Sequence, residues 1–273
     1  MNIFFPKEHI NEARFSLTGE TAEKFLKKNI DLYVEETVQF QDALLNNLIE
    51  TAKVKTISRQ QGLSSADIIC SLNKLSLDDI AHVKQDTLVV SFLDPFNEVE
   101  LISELKNRSI SSISMELVPR TTRAQKMDAL SSQANLAGYS AVIIASNHLE
   151  KALPMMMTAA GTISPSKVFV VGVGVAGLQA IATAKRLGAR VEAFDTREEV
   201  EDQVKSLGAR FVKIDLGETE QTSQGYAKAL TADQIKKQQE GMKKVCSSSD
   251  IVITTAQVFG RPAPKIITAE MVE

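Results

Sequence analysis

The sequence has no tryptophan, only two cysteines and three histidines among 273 residues, and aromatic residues make up 5% of it. Cys70 and Cys246 stand far apart, outside any CxxC pattern and without a histidine partner. That excludes a disulfide framework and a zinc site of recognisable spacing, and it fits a reducing compartment. No metal site is expected. Charge of neither sign dominates: the net charge is −3, and the basic clusters Lys27-Lys28, Lys236-Lys237 and Lys243-Lys244 suit solvated helix faces. A nucleic-acid surface is therefore not expected. Long hydrophobic runs are missing as well. The most apolar stretch, VFVVGVGVAGLQAIATA, is broken by three glycines and a glutamine, and Met1 leads almost directly into a strand-like NIFF, so neither a membrane span nor a signal peptide is read.

What is present is alternation. The length favours two domains. The first 130 residues run NIFF, a helix from about Thr21 to Lys28, DLYVEE, a helix from about Phe40 to Thr51, VKTIS, ADIICSL, a short helix near Ser76 to Val83, TLVVSFL, a helix from Glu98 to Lys106, and SISSISMELV. Strands alternating with helices predict a parallel, doubly wound α/β sheet. Thr121 to Tyr139 reads as a loop entering a long connecting helix, the expected domain boundary, with domains at 1–131 and 132–273. SAVIIAS and a helix through LPMMMTAA follow, the methionines being expected in core packing. The second half offers four strands, VFVVG, RVEAFD, ARFVKID and DIVITTA, with a polar stretch from Gly217 to Thr231 that reads as a mobile loop. An open sheet of this kind commonly has about six strands, so the chain is expected to be cut short after ITAEMVE.

Chemistry concentrates in the segment from Val168 to Arg197. A buried strand runs into Gly172-x-Gly174-x-x-Gly177, then a helix, then a second strand ending at Asp195. Gly172 permits the tight turn, Gly174 lets the backbone approach a pyrophosphate, and Gly177 lets the helix lie close to the strand. The helix start, Val175 and Ala176 included, supplies N–H groups and a dipole for phosphate. Asp195 stands where a carboxylate accepts ribose hydroxyls and repels a 2′-phosphate, which favours NAD(H) over NADP(H). Thr196 and Arg197 flank it, and an arginine there can also serve a 2′-phosphate. Thr255 and Ala256, after the fourth strand, are expected beside the same turn. The second domain is thus read as an NAD-binding Rossmann domain.

Two segments go beyond the glycine motif: VPRTTRAQKMDALSSQANLAGYSAV, and MMMTAAGTISPSKVFVVGVGVAGLQAIATAKRLGARVEAFDTR. Together with QGYAKALT and DIVITTAQVFGRPAPKIITAEMV they closely resemble the NAD(H)-binding first domain, on the α-subunit, of proton-translocating nicotinamide nucleotide transhydrogenases. The resemblance is dense from about Met115 to Glu273 and thinner over residues 1 to 110, where PKEHINEARFSLTGET is similar to the family's opening segment. It implies hydride transfer from NADH on this domain to NADP⁺ on a partner domain, coupled to proton translocation. It also implies membrane-spanning and NADP(H)-binding partner domains or subunits, a homodimer, and a cytoplasmic, peripheral place on the inner membrane.

By the same resemblance Arg120, Gln125, Asp128 and Ser131 surround the nicotinamide and its amide, Asp195 binds ribose, and Tyr226 belongs to a loop that folds over the nucleotide. Lys126 falls where a small or polar residue is expected. Without the family match, Arg120 and Asp128 would read as a structural ion pair at the connecting helix. Hydride transfer between two nicotinamides needs positioning and no general acid or base, and His9, His82 and His148 all lie outside the matched loop. A soluble oxidoreductase of the alanine dehydrogenase type is the nearest alternative. It requires a lysine and a histidine in the N-terminal domain; Lys74 aligns loosely and the histidine position is empty, while Arg14 is retained. A truncated NAD-binding module without activity is the third reading.

Overall fold

The computed structural model describes residues 1–36, 38, 40–217, 230–257 and 262–272. The chain divides into two compact units, Met1–Asp128 and Ala129–Glu273, each built around its own parallel sheet.

The first unit runs β1 (Asn2–Phe5), α1 (Gly19–Leu26), β2 (Asp31–Glu35), α2 (Ala43–Glu50), β3 (Val54–Ile57), α3 (Arg59–Ser65), β4 (Ile68–Cys70), α4 (Leu77–His82), β5 (Leu88–Ser91), α5 (Val99–Asn107) and β6 (Ser111–Ser114). Its strands lie in the order β3-β2-β1-β4-β5-β6, all parallel. The sheet buries both faces, as parallel sheets do: Ile3, Phe5, Leu32 and Val34 pack under α1 and α2, while Phe4, Ile69 and Val89 pack under α3, α4 and α5. Helix starts are set by local side chains. Asp42 caps α2 through the amides of Leu44 and Leu45 and also accepts from the Gly19 amide, tying the starts of α1 and α2 together. Ser76 and Asp79 form a capping box on α4. Helix α3, from RQQGLSS, is absent from the sequence expectations: it has little apolar periodicity, and Ser58 at its N-cap is its clearest signal.

The second unit opens with α6 (Ala129–His148), followed by β7 (Met156–Thr158), β8 (Gly161–Ile163), β9 (Lys167–Val171), α7 (Val175–Arg186), β10 (Arg190–Phe194), α8 (Glu201–Ser206), β11 (Arg210–Phe211), α9 (Ala232–Cys246), β12 (Ile251–Thr254) and α10 (Ala269–Val272). The main sheet has the order β11-β10-β9-β12. Strand β9 is its centre: Val168, Phe169, Val170 and Val171 are all buried, so both faces of the strand are covered. Each such side chain contributes roughly 1.5–3 kcal/mol on burial. The carboxylate of Asp250 accepts the Lys167 amide across the start of β9 and β12 and pairs with Lys151. The amide bond first, and then Lys151, hold its pKa below the ordinary carboxylate range against the opposing effect of burial.

Two expectations fail here. SAVIIAS is not a separate segment; it continues α6, whose apolar residues run all round the helix. LPMMMTAA is not helical: β7 and β8 form a two-stranded antiparallel hairpin, and Met155, Met156 and Met157 are exposed rather than in a core. The hairpin is set by Gly161, whose φ of +138° few side-chain-bearing residues adopt.

Helix α6 lies against the start of α7 at Gly138, where an added Cβ would stand 2.1 Å from the Ala176 carbonyl oxygen. Gly138→Ala is expected to cost about 1–3 kcal/mol of stability, as overpacking does. Urea denaturation checks this: the midpoint falls with an unchanged slope, whereas an unaltered midpoint would mean that the two helices separate freely.

Candidate functional site

In the second unit the chain leaves β9, builds outward through β10 and β11, then returns to β12 on the other side of β9. Ligands of open α/β sheets bind at such a switch, outside the carboxyl ends of the strands. The turn after β9 occupies this place. Gly172 has φ +95°, and its amide donates to the Phe194 carbonyl at 2.8 Å. Thr255, just past β12, clamps the turn from the other side: its amide donates to the Val171 carbonyl at 2.8 Å and its hydroxyl to the Gly172 carbonyl at 2.9 Å. An added Cβ on Gly177 would lie 1.9 Å from that same Gly172 oxygen, so glycine there is a packing requirement. Gly174 differs, because a Cβ at this position would meet nothing within 4 Å. The backbone here faces open space, and α7, which follows, has no side-chain cap at its N-terminus. The first N–H groups of α7, from Val175, Ala176 and Gly177, and its positive dipole end are therefore available to an anion.

Asp195 follows β10 and is buried. Its Oδ2 accepts the Val173 amide at 2.7 Å, and Arg197 holds both carboxylate oxygens, Nε on Oδ1 and Nη2 on Oδ2, each at 2.9 Å. The Arg197 amide also donates to Oδ1. Hydrogen bonding to Asp195 raises the Arg197 guanidinium above its ordinary pKa, against the opposing effect of burial. Thr196, Val212, Ile214 and Gly217 line a shallow cleft beside Asp195. Ala256 is next to Thr255, its amide 3.0 Å from where a Gly172 Cβ would stand.

The Arg120–Asp128 loop belongs to the first unit. A short 3-10 turn, Gln125–Met127, brings Arg120 Nε within 4.0 Å of Asp128 Oδ2. Arg120 and Gln125 are exposed and Asp128 is half-buried. Ser131 is the third residue of α6, in the second unit, and is half-buried. Tyr226 lies outside the described residues.

The first unit has its own switch, between β1 and β4, and a cavity of about 200 Å³ opens there, lined by Lys7, Glu8, His9, Arg59, Lys74 and Asp79 among others. Most of its charges are engaged within the protein. Arg59 bridges Glu35 and Asp79, Glu8 accepts the amides of Leu72 and Asn73, and Lys74 pairs with Glu98. His9 is the one histidine on the lining; the chain after β5 reads Ser91-Phe92-Leu93-Asp94. Arg14 is spent on Glu12, whose pKa is held down to about 2, chiefly by its hydrogen bonds to the Arg14 side chain. Among the described residues no cluster of histidine, cysteine or carboxylate side chains fits a metal ion, and no helix is long and apolar enough to cross a membrane.

Sequence reasoning missed how Arg197 and Thr255 act. Arg197 is the partner of the ribose-site acid, and Thr255 is a clamp on the turn. The first carries a weak signal, two opposite charges two residues apart at a strand end; the second carries none.

Comparison with known proteins agrees with this division. The alanine dehydrogenase/PNT N-terminal domain model matches residues 4–137, and the C-terminal domain model matches residues 141–273. An NAD(P) transhydrogenase subunit alpha chain of Rickettsia prowazekii (strain Madrid E) is 44% identical over 279 aligned positions, covering 100% of this chain and 73% of that protein. Among solved structures, the transhydrogenase from Sinorhizobium meliloti superposes with a TM-score of 0.84 at 40% identity, covering 100% of this chain and 74% of that one. An L-alanine dehydrogenase shares the fold at 20% identity and a TM-score of 0.76, over 100% of this chain and 70% of that one. With a doubly wound sheet in each unit, a glycine turn at the second switch and these similarities along its whole length, the chain belongs to the alanine dehydrogenase/PNT family, on the side of the transhydrogenase alpha subunits.

Proposed function

We propose that this chain is the NAD(H)-binding component of a proton-translocating transhydrogenase. In this role it presents NADH for hydride transfer to NADP⁺ held by a partner domain. The observation that carries the proposal is the turn from Gly172 to Gly177, fastened by Thr255 and Asp195 and leaving an uncapped helix start beside an open glycine. A pyrophosphate needs those two features together: N–H donors aimed at it, and no Cβ in its way.

The division of labour follows from the residues. The N–H groups of Val175, Ala176 and Gly177 bind phosphate, and Asp195 with Thr196 and Arg197 borders the adenosine ribose. Arg120 and Gln125 orient the carboxamide, with Asp128 holding Arg120 and Ser131 adding a hydrogen bond. Tyr226 covers the nucleotide. NADH supplies the hydride, and no acid or base is required of the chain; its work is to place the ring to within roughly 3–3.5 Å of its acceptor and to exclude water. In this reading residues 1–131 form the alanine-dehydrogenase-like domain and 132–273 the nucleotide domain. The protein works as a homodimer, at the cytoplasmic face of the inner membrane, through membrane-spanning and NADP(H)-binding partners.

The alternative of alanine oxidation is disfavoured by the pairing of Lys74 with Glu98 and of Arg14 with Glu12.

Fluorescence titration with NADH and NADPH, followed by addition of an NADP(H)-binding transhydrogenase domain, tests the proposal. Selective NADH binding and partner-dependent transfer are expected; turnover of alanine or pyruvate without a partner would sink it. Asp195→Ala should weaken NADH binding about tenfold or more and narrow the gap to NADPH, because Arg197, deprived of that carboxylate, then faces the 2′ position. An unchanged preference would remove Asp195 from the site. Gln125→Ala should spare NADH affinity while slowing transfer by about 10–100-fold, since misplacement of the ring costs rate rather than binding; single-turnover kinetics separates the two. Sedimentation equilibrium should give the dimer mass, and a monomer at all concentrations would overturn that assignment.

A further inference from the structure

The Asp195 carboxylate receives four hydrogen bonds from the chain itself, from the Val173 amide and from the amide, Nε and Nη2 of Arg197. Two carboxylate oxygens offer about four acceptor positions, so the acid that would receive a ribose is filled before any ligand arrives. The pair is also electrically closed, with guanidinium and carboxylate in bidentate contact and both side chains largely buried, 17% and 7% exposed. Arg197 reaches further, donating from Nη2 to the Val173 carbonyl at 3.2 Å. The Val173 residue in the glycine turn is thereby held at its N–H by Asp195 and at its C=O by Arg197.

Given the nucleotide-binding role proposed above, on which this rests, we infer that Arg197 is a second determinant of nucleotide choice and acts against Asp195. Three effects run in the same direction. The guanidinium cancels most of the carboxylate field that would repel a 2′-phosphate, since both charges stand at similar distances from it. It occupies oxygens that two ribose hydroxyls need, so a ribose diol must displace it from at least one of them. Once displaced, its planar fork suits a phosphate. The preference for NADH over NADPH is therefore smaller than a bare acid at this position would give.

The experiment is a titration of the parent chain and of Arg197→Met, Arg197→Gln and Arg197→Lys with NADH and with NADPH, followed by nicotinamide fluorescence, with melting curves for each. Loss of the charge in the Met and Gln variants is expected to raise the NADPH-to-NADH ratio of Kd about tenfold, while the Lys variant, which keeps the charge, stays within about threefold of the parent. Gln can still donate to the Val173 carbonyl, so it reads the effect of charge if the Met variant fails to fold. If Arg197 only braces the turn, both nucleotides weaken together and the ratio stays put. That result, or a falling ratio in the neutral variants, overturns the inference while leaving NADH binding intact. A parent chain that binds neither nucleotide overturns the nucleotide site itself, and the inference with it.

Discussion

The backbone-to-backbone approach of α7 to the turn before it governs the second unit. The Gly172 carbonyl oxygen sits where any side chain on Gly177 would begin, and the same oxygen accepts the Thr255 hydroxyl. One atom thus fixes three elements: the end of β9, the start of α7 and the chain after β12. The open position at Gly174 and the direction of the first N–H groups of α7 follow from that, because the helix axis cannot tilt without breaking into the turn. Replacement of Gly177 by a larger residue would displace the helix rather than merely crowd a pocket.

The two units share a sheet plan and treat their switch points differently. In the first, charged side chains have turned inward on one another: Arg59 is held by Glu35 and Asp79, and Lys74 by Glu98. Hydrogen bonding to Asp79 and then to Glu35 raises the Arg59 pKa despite partial burial. Such a cavity offers a ligand few unspent charges, and entry of a carboxylate substrate would have to break existing pairs, each exchange trading one charge-assisted bond for another. In the second unit donors are left unspent at the helix start, and the acid is closed by an arginine close enough in sequence to swing with it.

Much of this is legible in the sequence. The strands with a continuous apolar run or clear alternation, NIFF, VFVV, RVEAF and IVIT, fall where their patterns put them, and the strand order of the second unit follows from a glycine turn and a crossover helix. The pattern fails where periodicity carries no information. SAVIIAS is apolar over a length that fits a strand or part of a helix, and only the uninterrupted run from Ala129 decides for α6. The methionines resemble core residues because they are apolar, yet Gly161 turns them into an exposed hairpin. Helix α7 lies where the sequence puts it, but its buried stripe runs through Gly177, Ala180, Ile181 and Ala184 and leaves Leu187 exposed, since small residues let the helix sit close to the sheet. At the site, residue types and spacing reveal the glycine turn and Asp195. They do not reveal the closure of Asp195 by Arg197, which depends on side-chain geometry at a strand end.

The contact between Gly138 and Ala176 has a mechanical side. Most helices meet through side chains, whose rotamers absorb small shifts. Here the backbone of α6 rests directly on the first turn of α7, the turn whose N–H groups face open space. Two backbones in contact have no compressible layer between them. Any movement of the long helix that begins right after the Arg120–Asp128 loop is passed, undamped, to the anion-facing end of α7.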